Sequence, residues 1–155
     1  MGAGKTHIGR RVAEELGVPF IDTDERIVDA YGPIAEIFAR DGEDRFRVME
    51  REAVAEALRT RAVVSLGGGA VLDRATQEQL AGCRVVYLTV TTEGVRNRIR
   101  GDSRPLLRTG IEDWQRLYDQ RKPLYEALAT IRIDTSDRSV DAIVSDIVTW
   151  ARRKS

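Results

Sequence analysis

Short apolar runs, alternating with segments of helical period, do most to narrow what this chain can fold into. AVVSL (62–66) and RVVYLTV (84–90) carry few polar side chains. Such strands are buried on both faces, the condition inside a parallel sheet covered by helices. PFIDTD (19–24) and IRIDT (131–135) read as two more short strands. Between the strands, apolar residues recur every three or four positions. Ile8, Val12 and Leu16 mark a helix over 6–16, stopped by Gly17 and kept from resuming by Pro19. Helices are expected at about 24–31, 33–40 (Ile34, Ile37, Phe38), 43–59, 73–80, 92–100 and 112–129. A last one, 139–152, gathers Val140, Ile143, Val144, Ile147 and Trp150 on one side. This alternation predicts an α/β protein with three α/β/α layers around a mostly parallel sheet. Four strands are visible.

The 155 residues suit one domain, 1–155. Lysine plus arginine number 25 and aspartate plus glutamate 25, so nothing global favours nucleic acid or an anionic membrane as partner. No apolar run is long enough to cross a bilayer, and the first residues lack the apolar stretch of a signal peptide. A soluble cytoplasmic protein, monomeric, is expected. The single cysteine, Cys83, excludes an intramolecular disulfide and any multi-cysteine metal site. Its place before RVVYLTV suggests a buried filler.

Gly2-Ala3-Gly4-Lys5-Thr6 is the back half of a phosphate-binding loop, G-x-x-x-x-G-K-[ST]. Glycines let successive N–H groups turn inward around phosphate oxygens, and the helix that follows points its positive end at them. Lys5 is then placed for β- and γ-phosphates, and the Thr6 hydroxyl for Mg²⁺. The motif's first glycine would fall two residues before Met1, and the strand that launches such a loop, the fifth, is expected upstream. His7, on the helix's first turn, is expected to be exposed.

Asp22 and Asp24 lie at the carboxyl end of the PFIDTD strand, the edge where open α/β sheets bind ligands. Alternate strand positions share a face, so both carboxylates could enter one crevice. One would hold a metal's water shell, the other a substrate hydroxyl; Asp24 could instead cap the next helix. Gly67, Gly68 and Gly69 end the AVVSL strand, where three residues without side chains imply close approach to the backbone. Arg47 stands three residues before Glu50, so each can orient the other. Arg104 precedes Pro105 in a glycine-bounded loop of lid-like character, and Arg121 stands beside Pro123, which breaks or kinks a helix. Taken singly, each arginine fits a solvated surface position equally well or better.

GAGKT, FIDTD, IAEIFARDGEDRFRVME, SLGGGAV, RVVYLTV, RPLL and RKPLY stand in this order along the chain. Together they resemble the shikimate kinases, phosphate-loop kinases of aromatic amino-acid biosynthesis, over essentially the whole length. The resemblance implies transfer of ATP's γ-phosphate to the 3-hydroxyl of shikimate, with Mg²⁺ as cofactor. It puts Gly2, Ala3, Gly4, Lys5 and Thr6 on ATP, and Thr6 and (through water) Asp22 on the metal. Asp24 would hydrogen-bond the accepting hydroxyl. Arg47, held by Glu50, and Arg121 would grip the shikimate carboxylate. Gly68 and Gly69 would present backbone to the substrate, with Phe38 and Phe46 walling the pocket. Arg104 would reach the transferring phosphate from a lid at 101–111, and residues 23–60 would form the substrate-binding segment. Arg96 or Arg98 and the segment after Thr135 are open alternatives for the adenine.

Two other readings fit parts of the pattern. A gluconate-type or nucleoside-monophosphate kinase would share the phosphate loop, but the paired arginines and DTD suit a small carboxylated polyol better. A non-catalytic nucleotide binder would follow if the phosphate loop lacked its first half.

Overall fold

The structure, a computed structural model, describes residues 4–90 and 111–153. In chain order the elements are α1 (Lys5–Leu16), β1 (Phe20–Asp22), α2 (Thr23–Tyr31), α3 (Ile34–Leu58) and β2 (Val63–Ser65). A 3₁₀ turn (Ala70–Leu72), α4 (Arg74–Leu80), β3 (Val86–Thr89), α5 (Ile111–Leu128), β4 (Ile131–Asp134) and α6 (Val140–Arg152) follow. These form two compact units, one of Gly9–Cys83 and one of Met1–Ile8 with Arg84–Ser155.

In the Gly9–Cys83 unit, α1 ends as its sequence requires. Gly17 takes a φ of 69°, a left-handed conformation that costs a glycine little. Its N–H donates to Glu14 O and that of Val18 to Ala13 O, so two carbonyls of the last turn find partners. Gly9 lets α1 lie close on β1: a Cβ there would stand 2.7 Å from Phe20 Cε1. Arg10, one residue on, stacks over the Phe20 ring at 4.8 Å and pairs with Glu25 of α2 at 2.8 Å.

β1 and β2 pair in parallel, Phe20 with Val63, Ile21 with Val64 and Asp22 with Ser65. A parallel pair needs a long crossover, and α2 and α3 supply it. The two expected helices at 33–40 and 43–59 are one element bent at Gly42, whose φ of 84° and ψ of 166° interrupt the helix. The bend lets both halves of α3 close over α2, and Ile27, Ile37, Phe46 and Met49 form a buried cluster with Ile34, Phe38 and Ala53 against it.

In the second unit β3 and β4 pair in parallel, from Val86 with Ile131 to Thr89 with Asp134. The four strands thus form two separate parallel pairs among the described residues. Ser139 caps α6 by accepting from Ala142 N–H, and Ile143, Val144, Ile147 and Val148 are its buried face. The far end of α6 is closed by Arg84, which stacks on Trp150 at 4.2 Å and donates to the carbonyls of Trp150 and Ala151 at 2.7 and 2.6 Å. α5 continues through Pro123, where a break or kink was expected. Tyr118 on α5 and Tyr87 on β3 are buried and share a hydrogen bond between their hydroxyls.

Candidate active site

The carboxyl ends of β1 and β2 organise the first part of the site. Asp22 ends its strand because its carboxylate starts the next helix: Oδ1 accepts from the N–H groups of Asp24 at 2.9 Å and Glu25 at 3.2 Å. Asp24 therefore lies in the first turn of α2, and the expected sharing of one strand face by Asp22 and Asp24 does not occur. Nor is Asp24 the helix cap; Asp22 is. Thr23 between them is buried and donates its hydroxyl to Ser65 O at 3.3 Å, tying the turn to β2. The Ser65 hydroxyl is itself buried and has no hydrogen-bond partner among the described residues.

The half-buried Asp24 carboxylate lies against Gly67. A Cβ on Gly67 would stand 2.7 Å from Oδ1 and 3.1 Å from Oδ2. Two residues further along the loop, Gly69 receives Arg47 in the same way, with the guanidinium carbon 2.8 Å from where a Cβ would be. Close approach to the glycine run is thus real, and the protein's own charged side chains make it, at Gly67 and Gly69. Gly68 between them is half-buried.

Arg47 projects from α3 and donates from Nη1 to Glu50 Oε1 at 2.8 Å and from Nη2 to Glu43 Oε1 at 3.2 Å. Glu50 is only 3% exposed, so Arg47 is the cation that offsets a charge withdrawn from water. Burial works against the Arg47 charge, but the hydrogen bonds and attraction of Glu50, then of Glu43, outweigh it and raise the pKa above its ordinary value. The guanidinium also lies over the Phe46 ring at 5.3 Å, and Phe46 packs on Phe38 with ring centroids 4.9 Å apart. A guanidinium carries five N–H donors, more than these two bonds use. Chemically the cluster offers a fixed cationic fork, an aromatic wall and, across the glycine loop, a carboxylate that can accept from a hydroxyl.

In the other unit Gly4 has a φ of 76°, and its carbonyl accepts from Ile8 N–H at 3.1 Å. Lys5 and Thr6 are then the first two residues of α1, both half-buried, at the end where helical N–H groups lack partners within the helix. No acidic residue occupies that first turn, so no carboxylate of the turn itself competes with a bound anion. His7 is exposed, as expected. Arg121, on α5, is 6% exposed, which rules out the solvated position that a lone arginine suggests. Gly2, Ala3 and Arg104 lie outside the described residues, as do Arg96, Arg98 and 101–110. Cys83 is not a buried filler: it is half-buried beyond α4, and its Sγ donates to Gln79 O at 3.4 Å.

A profile described as shikimate kinase matches residues 1–152. The chain belongs to the shikimate kinase family. It is 50% identical over 152 residues to the shikimate kinase of Mycobacterium avium (strain 104), covering 95% of this chain and 86% of that one. Among solved structures it is similar to the shikimate kinase from Acinetobacter baumannii in complex with shikimate. There the TM-score is 0.88 and identity 34%, over 97% of this chain and 88% of the other. The enzyme from Bacteroides thetaiotaomicron gives a TM-score of 0.89 at 27% identity, over 99% and 94% of the two chains. The phosphate-loop kinase fold expected of the chain is that of these shikimate kinases.

Sequence reasoning missed Gly67, Glu43 and Ser65 as parts of the site. Gly67 was in view, but three consecutive glycines have no periodicity to tell which of them meets which side chain. Glu43 could have been found as the carboxylate four residues before Arg47, a helical neighbour. Ser65 has no such local signal; only the register with Asp22 brings it to this edge.

Proposed function

We propose that this chain transfers the γ-phosphoryl group of ATP to the 3-hydroxyl of shikimate, giving 3-phosphoshikimate, as a monomer in the cytoplasm. Residues 1–155 act as one kinase domain, with 23–60 binding shikimate and 101–111 closing as a lid. The observation that carries this reading is the Arg47–Glu50 pair seated on Gly69, two residues from the contact of Asp24 with Gly67. Together they bring a guanidinium fork for a carboxylate and an acceptor for a hydroxyl to one glycine loop, in a chain of this family.

Arg47, oriented by Glu50, and Arg121 bind the shikimate carboxylate, with Phe38 and Phe46 as an apolar wall and Gly68 and Gly69 as backbone contacts. Gly2, Ala3 and Gly4 cradle the phosphates by their N–H groups, and Lys5 reaches the β- and γ-phosphates. Mg²⁺ keeps several waters and binds through few protein oxygens and the substrate's phosphates. Thr6 and, through water, Asp22 would hold it. When bound, Mg²⁺ neutralises charge on the β- and γ-phosphate oxygens.

Asp24 accepts a hydrogen bond from the 3-hydroxyl and turns its oxygen toward the γ-phosphorus. That oxygen forms the new P–O bond as the bond to the β-bridging oxygen breaks, ADP departs, and the hydroxyl proton passes to Asp24. Such a transfer asks the protein for positioning and charge neutralisation above all, and Lys5 and Arg104 supply the positive charge. The test is ADP release measured with and without shikimate and with and without Mg²⁺, alongside gluconate and nucleoside monophosphates as acceptors. Release that requires both shikimate and Mg²⁺ is expected. Equal ATP consumption with and without shikimate, or faster turnover of another acceptor, refutes the reading.

A further inference from the structure

Arg47 and Arg51 stand one turn apart on α3, so their side chains leave the same face of the helix. Arg47 meets the loop after β2 at Gly69, and Arg51 meets it four residues on, where its Nε donates to Asp73 Oδ1 at 2.8 Å. Asp73 has a second role: Oδ2 accepts from Thr76 N–H at 2.9 Å and caps α4. Between these points Ala70 and Val71 are buried, and Gln77 Nε2 donates to Val71 O at 2.7 Å. The segment from Gly69 to Asp73 is therefore clasped to α3 by a guanidinium at each end. At the Gly69 end there is no side chain to set the separation, and the contact is closer than a Cβ would permit. The Asp73 end has a directed ion pair that can set it. Burial alone would raise the Asp73 pKa, but the Thr76 N–H and Arg51 outweigh it and lower it, so the carboxylate is ionised at neutral pH.

We propose that the Arg51–Asp73 ion pair is a positioning device for substrate binding: it fixes the glycine loop on α3 and so sets the pose of the Arg47 guanidinium at Gly69. Neither residue touches substrate; both act through the loop. This rests on the assignment of Arg47 to the shikimate carboxylate. An ion pair whose arginine is about half exposed contributes little to global stability, so its consequence is read in the loop and in the affinity that depends on it.

The experiment compares Arg51→Gln, Asp73→Asn and the double variant with the parent, in the full chain. Asparagine still caps a helix, so Asp73→Asn removes the ion pair while sparing α4. The KM for shikimate should rise roughly three- to fivefold in each single variant, while kcat and the KM for ATP stay within about twofold. The double variant should be no worse than either single one, because one interaction is lost in all three. Arg51→Lys should recover part of the affinity. Ser139→Ala, which removes the cap of α6 instead, should lower Tm and leave the shikimate KM unchanged. Arg47→Ala is measured alongside and should raise the shikimate KM more than any of these. If it does not, the site assignment falls and this inference with it. If it does, but the Arg51 and Asp73 variants match the parent or shift kcat and both KM values alike, the ion pair is merely structural. The inference is then overturned while the site assignment stands.

Discussion

Gly67→Ala tests the site with a single methyl group. Gly67 does not adopt a left-handed φ, so alanine fits its backbone and stiffens the unfolded chain, an effect that stabilises by about 0.4–1 kcal/mol. Against this, the new Cβ would meet Asp24 at 2.7 Å from Oδ1 and 3.2 Å from Cγ, where ordinary contact begins near 3.4 Å. The carboxylate must retreat by about 0.7 Å. The main chain of Asp24 cannot follow easily, because its N–H is bonded to Asp22 Oδ1 in the first turn of α2. The side chain must turn instead, and an off-rotamer torsion costs about 0.5–1.5 kcal/mol. The two effects nearly cancel, so Tm should move by no more than about 2–4 °C. Catalysis has no such compensation. A misplacement of about 1 Å can cost on the order of a hundredfold in rate, so kcat should fall about tenfold to a hundredfold. ADP release with shikimate and ATP varied separately, together with a thermal melt, reads all three quantities; the KM for ATP should hold. A variant that melts and turns over like the parent would show that the Asp24 carboxylate at Gly67 is not what positions the accepting hydroxyl.

Three further outcomes follow from the geometry. Arg121→Ala should raise the KM for shikimate far more than that for ATP, by tenfold to a hundredfold or more, since a charge-assisted contact is worth about 1.5–3 kcal/mol. An unchanged shikimate KM would place this buried arginine outside the substrate site. Glu50→Gln keeps the shape of a buried side chain but removes the charge that Arg47 faces; weakening that bond by about 1 kcal/mol should raise the shikimate KM about fivefold, and a parent-like KM would refute its orienting role. Burial, then the hydrogen bond to Tyr118, raises the Tyr87 pKa above its ordinary value. The folded state keeps this proton where the unfolded chain loses it, so the stabilisation is full below about pH 10 and lost as pH rises beyond it. Tm should therefore fall above about pH 10, less steeply in Tyr87→Phe; equal slopes in both proteins would refute the account.

What could be read from the sequence was what neighbouring residues decide together. The stop at Gly17, the helix starts expected at 73 and 139 and the interruption between residues 40 and 43 are local, and each element boundary they mark lies within a residue or two of the expected place. The pairing of β1 with β2 and of β3 with β4 is not local, and no feature of four short apolar runs specifies it. The same division explains the site. The Arg47–Glu50 pair was legible because it is one helical step. Asp24 was misplaced because a three-residue strand is too short for alternation to outlast it: the carboxylate of Asp22 begins a helix at Thr23 and turns the next acid to another direction. Gly67, Ser65 and the Arg51–Asp73 pair depend on contacts between residues 22 to 43 positions apart. Cys83 failed as a filler for a related reason, since the turn after α4, and not the strand that follows, sets its surroundings. Arg84 repeats the pattern at a larger scale. Counted into the strand RVVYLTV by its sequence, it instead precedes β3 and, still exposed, closes the carbonyl end of a helix 66 to 69 residues away. In each case the residue type announces what a side chain can do, and the chain's return to the same place decides which partner it does it with. The glycine loop shows why that matters for function. Its glycines signal that something must come close, but only the fold makes Asp24 and Arg47 the groups that do, leaving a carboxylate and a guanidinium two loop residues apart.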